Sequence, residues 1–214
     1  MEYKNIIFDF DGTLVDTAAV ILETMSRTIS ALRLPSRSAD ECRKMIGYRL
    51  EDIPSILWPE CSNISEKYAK TYREMFNTVK SDFKVQLYPQ VAETLSILCS
   101  NGVNMAIASS RSKPSLQEIT DELGIAQCFQ QLIGGGDVTN GKPSPEPVNR
   151  ILSMQNWLNT ETLVVGDMNV DIMMGKNAGT ATCAVTYGNG TLPDLLSAHP
   201  DYIISTFAEL LEIV

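Results

Sequence analysis

Asp9 and Asp11 close a short apolar run that reads Asn5-Ile-Ile-Phe-Asp9-Phe-Asp11-Gly12-Thr13-Leu-Val-Asp16-Thr17. Residues two apart on a strand project to the same face, so both carboxylates meet on one side of the chain, just where Gly12 lets it turn. Like charges that close need a cation or a shared proton to relieve them. An ordinary strand end with an Asp-Gly turn would use the same letters, but further polar groups downstream argue for chemistry. Ser109 and Ser110 follow the apolar run Val103 to Ala108, Lys142 precedes a proline-rich helix start, and Asp167 follows Thr162 to Val165. Asp171 comes four residues later, one helical turn on, and faces the same mouth. Three or more carboxylates, a hydroxyl and an ammonium suit Mg²⁺, a hard cation that takes oxygen ligands.

These residues need elements that end at one place. After the first strand, Ile21, Met25, Thr28/Ile29 and Leu32 follow helical spacing, Ser38-Ala-Asp-Glu41 is a capping-box pattern, and Ile64, Tyr68, Tyr72, Met75/Phe76 and Val79 form a longer stripe. Residues 17–82 are therefore expected to be mostly helical. From Leu87 short apolar strands alternate with helices: helix 91–99 stopped at Asn101-Gly102, strand 103–108, helix 114–123, strand 131–134, helix 146–155, strand 162–165, helix 169–178, strand 182–185, and a final helix at 206–213. That rhythm predicts an α/β fold, a Rossmann-like parallel sheet with helices on both faces. An α-helical cap domain, residues 17–82, is inserted into a core of residues 1–16 and 83–214. In such sheets ligands bind beyond the carboxyl ends of the strands, where Asp9, Asp11, Ser109 and Asp167 fall.

Composition narrows the function classes. With 214 residues the chain can hold one sizeable core and a smaller attached unit. A net charge of -9 argues against nucleic-acid or anionic-membrane surfaces, which need clustered Lys and Arg. A divalent cation still lets an acidic protein act on a small anion. The five cysteines show no C-x-x-C spacing and His199 is the lone histidine, so zinc, a disulfide framework and a Ser-His-Asp triad are not expected. No apolar run reaches the roughly 18 residues of a bilayer span, and Met1-Glu2-Tyr3-Lys4 leads straight into a strand, so a cytoplasmic monomer or homodimer is expected.

Taken together, D-F-D-G-T-L, a serine ending a strand, G-K-P-x-P and G-D-x-x-x-D in this order resemble the haloacid dehalogenase superfamily over essentially the whole chain. The helical insertion is similar to the cap of its C1-type members. The D-G-T-L-x-D-T opening and the tail Pro200-Asp201-Tyr202-Ile203-Ile204 are closest to phosphoglycolate phosphatase-like enzymes. The resemblance implies that Asp9 is a nucleophile forming an aspartyl-phosphate and that Asp11 is the general acid and base, its main-chain carbonyl also touching the metal. Ser109 and Lys142 would bind and neutralise the phosphoryl group. Asp9, Asp11, Asp167 and Asp171 would make the Mg²⁺ site, Asp171 at second hand. Gly12, Thr13, Ser110 and Arg111 would line the substrate site, with Gly47 and Arg49 reaching in from the cap. Arg111 stands where those phosphatases are expected to carry an Asn-Lys type sequence, and together with Asn189 it leaves the particular substrate open.

The activity implied is hydrolysis of a small phosphorylated metabolite, phosphoglycolate-like or a sugar phosphate. A β-phosphoglucomutase-like phosphomutase and an inorganic pyrophosphatase are the alternatives. A true dehalogenase would leave Asp11 and Asp167 without a task, and a binding protein without turnover would not need Asp9, Lys142 and Asp167.

Overall fold

In the computed structural model, which describes residues 3–214, a six-stranded parallel sheet runs through the centre of the core. Met1 and Glu2, part of the N-terminal segment expected to lack a leader, lie outside the described residues. The strands are β1 (Asn5–Phe8), β4 (Asn104–Ala108), β5 (Gln131–Ile133), β6 (Thr162–Gly166), β7 (Ala181–Val185) and β8 (Tyr202–Ile204), in the order β5-β4-β1-β6-β7-β8. The chain first builds from β1 toward β5 and then returns to the other side of β1. This reversal leaves a crevice at the carboxyl end of β1, the place where such sheets bind ligands.

Both faces of the sheet are covered, so the central strands are apolar throughout. Ile6 and Phe8 of β1 point into one cluster with Met105, Ile107, Leu163 and Val165, while Ile7 points into another with Ala106, Ala108 and Val164. Helices α5 (Val91–Ser100) and α6 (Lys113–Glu122) pack on the first side, and α7 (Glu146–Gln155) and α8 (Asn169–Asn177) on the second. The expected strand and helix bounds agree to within a few residues. The exceptions are α9 (Leu192–Ser197), where no helix is expected from the sequence, and the last helix, which is a 3₁₀ helix at Phe207–Glu212.

Residues between β1 and α5 form α1 (Ala18–Ala31), α2 (Ala39–Arg43), α3 (Ile53–Leu57) and α4 (Ser65–Val79), with a 3₁₀ turn at Pro59–Ile64. Ser38 and Glu41 cap each other's backbone N–H at the start of α2. These helices bury an apolar cluster of their own, built on Ile21, Met25, Trp58, Tyr68 and Tyr72. Where the segment leaves and rejoins the core, β2 (Val15–Asp16) pairs antiparallel with β3 (Gln86–Leu87). Among the described residues no helix is long and apolar enough to cross a membrane.

Candidate active site

The ladder between β1 and β6 continues one residue past β1, because the Asp9 N–H donates to the Val165 carbonyl at 2.8 Å. Asp9 is therefore held like a strand residue, and the chain turns only after it. Gly12 makes that turn with φ +100, a left-handed conformation that favours glycine. A Cβ at this position would lie 2.1 Å from an oxygen of Asp167 and 2.3 Å from the Asn189 amide. Glycine is thus required twice, by its backbone angle and by the approach of the next acidic residue.

Three carboxylates converge behind the turn. Asp9, Asp167 and Asp171 are buried, and each offers an oxygen within 4.8 Å of the others. Lys142 is buried against them, its Nζ donating to Asp9 and, at 2.7 Å, to Asp171. The loop before Lys142 is fixed by Glu146, which accepts from the N–H groups of Thr139 and Asn140 at 2.7 and 2.8 Å. Asp171 also accepts from the Met168 N–H at 2.9 Å, closing the start of α8. Asp167 is fixed at both oxygens: Thr13 donates to one at 3.1 Å, and Asn189 to the other through its backbone and its side chain. Arg43, at the end of α2, donates to the Asn189 side-chain oxygen at 3.3 Å.

One ammonium does not balance three carboxylates. Burial, reinforced by Asp171 and Asp167 and opposed by Lys142, pushes the Asp9 carboxyl well above its ordinary range. Burial and then Asp171 raise Asp167 to about 7. For Lys142 burial works against the charge, but Asp171 and Asp9 outweigh it and hold the ammonium above its usual range. A buried, oxygen-only cluster with an excess of negative charge has the donor chemistry of a divalent cation site.

Asp9 and Asp11 open onto a cavity of about 450 Å³ between the sheet edge and the helical segment. Ser109, Ser110, Arg111, Gly47 and Arg49 line it too. The Ser109 N–H extends the β4 to β5 ladder to the Ile133 carbonyl, and its hydroxyl accepts from the Arg111 N–H at 3.2 Å. Ser110 instead donates to the Gly47 carbonyl at 2.6 Å, and Arg49 donates to the Thr139 carbonyl, so both tie the helical segment to the core. Thr13 is buried with its hydroxyl on Asp167. Asp11 lies apart from the other three carboxylates: Thr17 donates to it at 2.7 Å, and Arg111 grips it with Nε at 3.1 Å and Nη2 at 2.5 Å. Of the groups singled out by type and spacing, Asp9, Asp11, Ser109, Ser110, Arg111, Gly47 and Arg49 line the cavity, while Thr13, Lys142, Asp167 and Asp171 are buried in the cluster behind it. The roles of Asn189, Thr17 and Arg43 as hydrogen-bond partners were not foreseen, since each is a common polar residue in a loop or at a helix end.

Residues 6–185 match the sequence pattern of the haloacid dehalogenase-like hydrolases. The chain belongs to the haloacid dehalogenase-like hydrolase family. This hydrolase is 30% identical, over its whole length and 96% of the relative's, to a phosphoglycolate phosphatase of Vibrio parahaemolyticus. It is 31% identical to a pyrophosphatase, PpaX, of Halalkalibacterium halodurans, over 100% of this chain and 98% of the other. Among solved structures, a haloacid dehalogenase-like family hydrolase of Streptococcus pneumoniae superposes with a TM-score of 0.86 at 25% identity, covering 99% of this hydrolase and 98% of that chain.

Proposed function

We propose that this hydrolase is a Mg²⁺-dependent phosphatase of small phosphorylated metabolites and works through an aspartyl-phosphate on Asp9. The observation that carries this reading is the meeting of Asp9, Asp167, Asp171 and Lys142, with 4.8 Å or less between carboxylate oxygens and Asp9 facing a cavity. The resemblance of the chain to phosphatases over its full length supports it.

Asp9 and Asp167, with the main-chain carbonyl of Asp11, would hold Mg²⁺, while Asp171, occupied by Lys142 and Met168, steadies them from behind. When bound, the cation neutralises charge that would otherwise repel a phosphate dianion from Asp9. An Asp9 oxygen attacks phosphorus and the bond to the leaving oxygen breaks, with Asp11 giving that oxygen a proton. Asp11 then takes a proton from water as the water attacks the aspartyl-phosphate, which releases inorganic phosphate and restores Asp9. Ser109 and the backbone around Gly12 and Thr13 hold phosphoryl oxygens, and Lys142 offsets their charge. Residues 17–82 act as a cap: Ser110 on Gly47 and Arg49 on Thr139 hold it closed over the crevice, excluding water while the intermediate exists.

A panel of phosphoglycolate, pyrophosphate and sugar phosphates tests this with wild type and Asp9→Asn, in Mg²⁺ and in chelator. Release of phosphate by wild type in Mg²⁺ alone is expected, with background levels from Asp9→Asn. Full activity in chelator, or equal release from both proteins, overturns the mechanism. Isomerisation of a hexose phosphate without net release identifies a mutase instead.

A further inference from the structure

Arg111 is a cation held in reserve at the mouth of the reaction crevice. Its side chain is 9% exposed, with the guanidinium 5.1 Å from the centre of the Phe76 ring of α4 and 6.0 Å from that of Phe10. Its third nitrogen donates to the Ser115 hydroxyl at 3.2 Å. The planar fork faces Asp11 and binds both carboxylate oxygens, the arrangement in which Arg recognises carboxylates best. The other cations of the cavity wall are engaged elsewhere: Arg73 on Glu51 at 2.6 Å, Lys80 on Glu118 at 2.7 Å, and Arg49 on the Thr139 carbonyl.

This pairing conflicts with the work assigned to Asp11. An oxygen that accepts from a guanidinium N–H turns its lone pair to that donor, and Thr17 occupies Oδ1 as well. A carboxylate has about four acceptor positions, of which Thr17 and Arg111 take three here, so turning out of the fork frees Asp11 to meet a leaving group or a water. Its departure would strand a buried guanidinium, which is costly unless another anion takes the place. The site therefore favours a substrate that brings one.

We propose that Arg111 is the receptor for a carboxylate on the substrate, which takes the guanidinium over from Asp11 and frees Asp11 to act. The inference rests on the phosphatase reading and narrows it to small phosphate monoesters that bear a carboxylate a few bonds from phosphorus. The fork already holds a group of that shape, and the rings of Phe10 and Phe76 lie beside the guanidinium. Arg111 is thus a specificity residue whose effect reaches turnover as well as binding.

The test compares phosphoglycolate with 2-hydroxyethyl phosphate, the same skeleton with a neutral end, on wild type, Arg111→Met and Arg111→Lys. Wild type is expected to prefer phosphoglycolate, with part of the preference in kcat. Arg111→Met should cut the ratio of the two kcat/KM values about 10- to 100-fold, and Arg111→Lys, which keeps charge but loses the fork, should fall between. The ratio is internal, so partial misfolding lowers both rates and leaves it in place. The same ratio is read from calorimetric binding of both esters, with no turnover required. A carboxylate preference that survives Arg111→Met overturns the assignment, as does an Arg111-dependent preference for pyrophosphate over phosphoglycolate. Carboxylate-selective binding without hydrolysis by wild type overturns the phosphatase reading and leaves the role of Arg111 standing.

Discussion

Asn189 donates its backbone N–H and its side-chain N–H to the same oxygen of Asp167, at 2.7 and 3.2 Å. With Thr13 on the other oxygen, Asp167 cannot rotate without breaking a buried hydrogen bond. Removing the side-chain contribution by Asn189→Ala leaves the backbone donor but loosens the carboxylate. Groups that orient metal ligands typically contribute 10- to 100-fold in affinity. The Mg²⁺ concentration for half-maximal phosphate release should rise by about 10-fold; an unchanged midpoint rules out this orienting role.

Lys142→Met should destabilise the fold by about 3 to 5 kcal/mol at pH 8, because Asp9 and Asp171 lose their buried cation. Urea unfolding in chelator reads this directly. The loss should shrink on going to pH 5, because the Asp9 carboxyl, raised above its ordinary range, takes up its proton more readily and then needs no partner. A loss of equal size at both values would assign Lys142 to packing instead of charge.

Metal-free protein should become less stable as pH rises from 5 to 8. Asp167 titrates near 7 when folded against an ordinary 3.8, and Asp9 is raised too. A carboxyl with a raised folded pKa is harmless while protonated and opposes folding once the folded state must ionise it, so stability falls through that window. Lys142 is charged in folded and unfolded chains across this range and adds no slope. Thermal melting in chelator should show Tm falling with pH, and Mg²⁺ should restore Tm most at pH 8. A Tm that climbs between pH 5 and 8 in chelator contradicts the cluster's electrostatics.

Gly12→Ala introduces a methyl group 2.1 Å from the Asp167 carboxylate at φ +100. Backbone strain alone is worth about 1 to 3 kcal/mol, and Asp167 must move. Phosphate release should fall to background with the circular dichroism of the fold retained. Normal activity would mean that Asp167 need not hold its present position.

The candidate site was legible because chemistry and topology agree there. Asp9, Asp167 and Lys142 sit at strand ends or helix starts, and a parallel sheet brings such ends to one edge. Long amphipathic stripes such as Tyr68, Tyr72 and Phe76 gave α4 correctly, but periodicity says which face is buried and not what it meets. Nothing in the spacing of Phe76 and Arg111 announces that they stack. The pairs β2 and β3, two residues each, are too short to carry alternation. Helix α9 did carry a signal: the Thr191 hydroxyl accepts from the Asp194 N–H and Pro193 sits in the first turn, a start pattern in a segment of six residues that is too short to show helical periodicity. Arg111 was noted as a departure from an expected motif, and its attachment to Asp11, a hundred residues earlier in the chain, needed coordinates.

The small ribbon in which Val15 pairs with Leu87 and Asp16 with Gln86 joins the two ends of the helical insertion side by side. To the sheet, the whole of residues 17–82 closes like a short hairpin, since the entropy of joining the ends has been met at the neck. What lies beyond the neck can change in length and shape without reopening the core. An insertion joined at such a neck can be exchanged for another of different shape while the residues at the end of β1 keep their places.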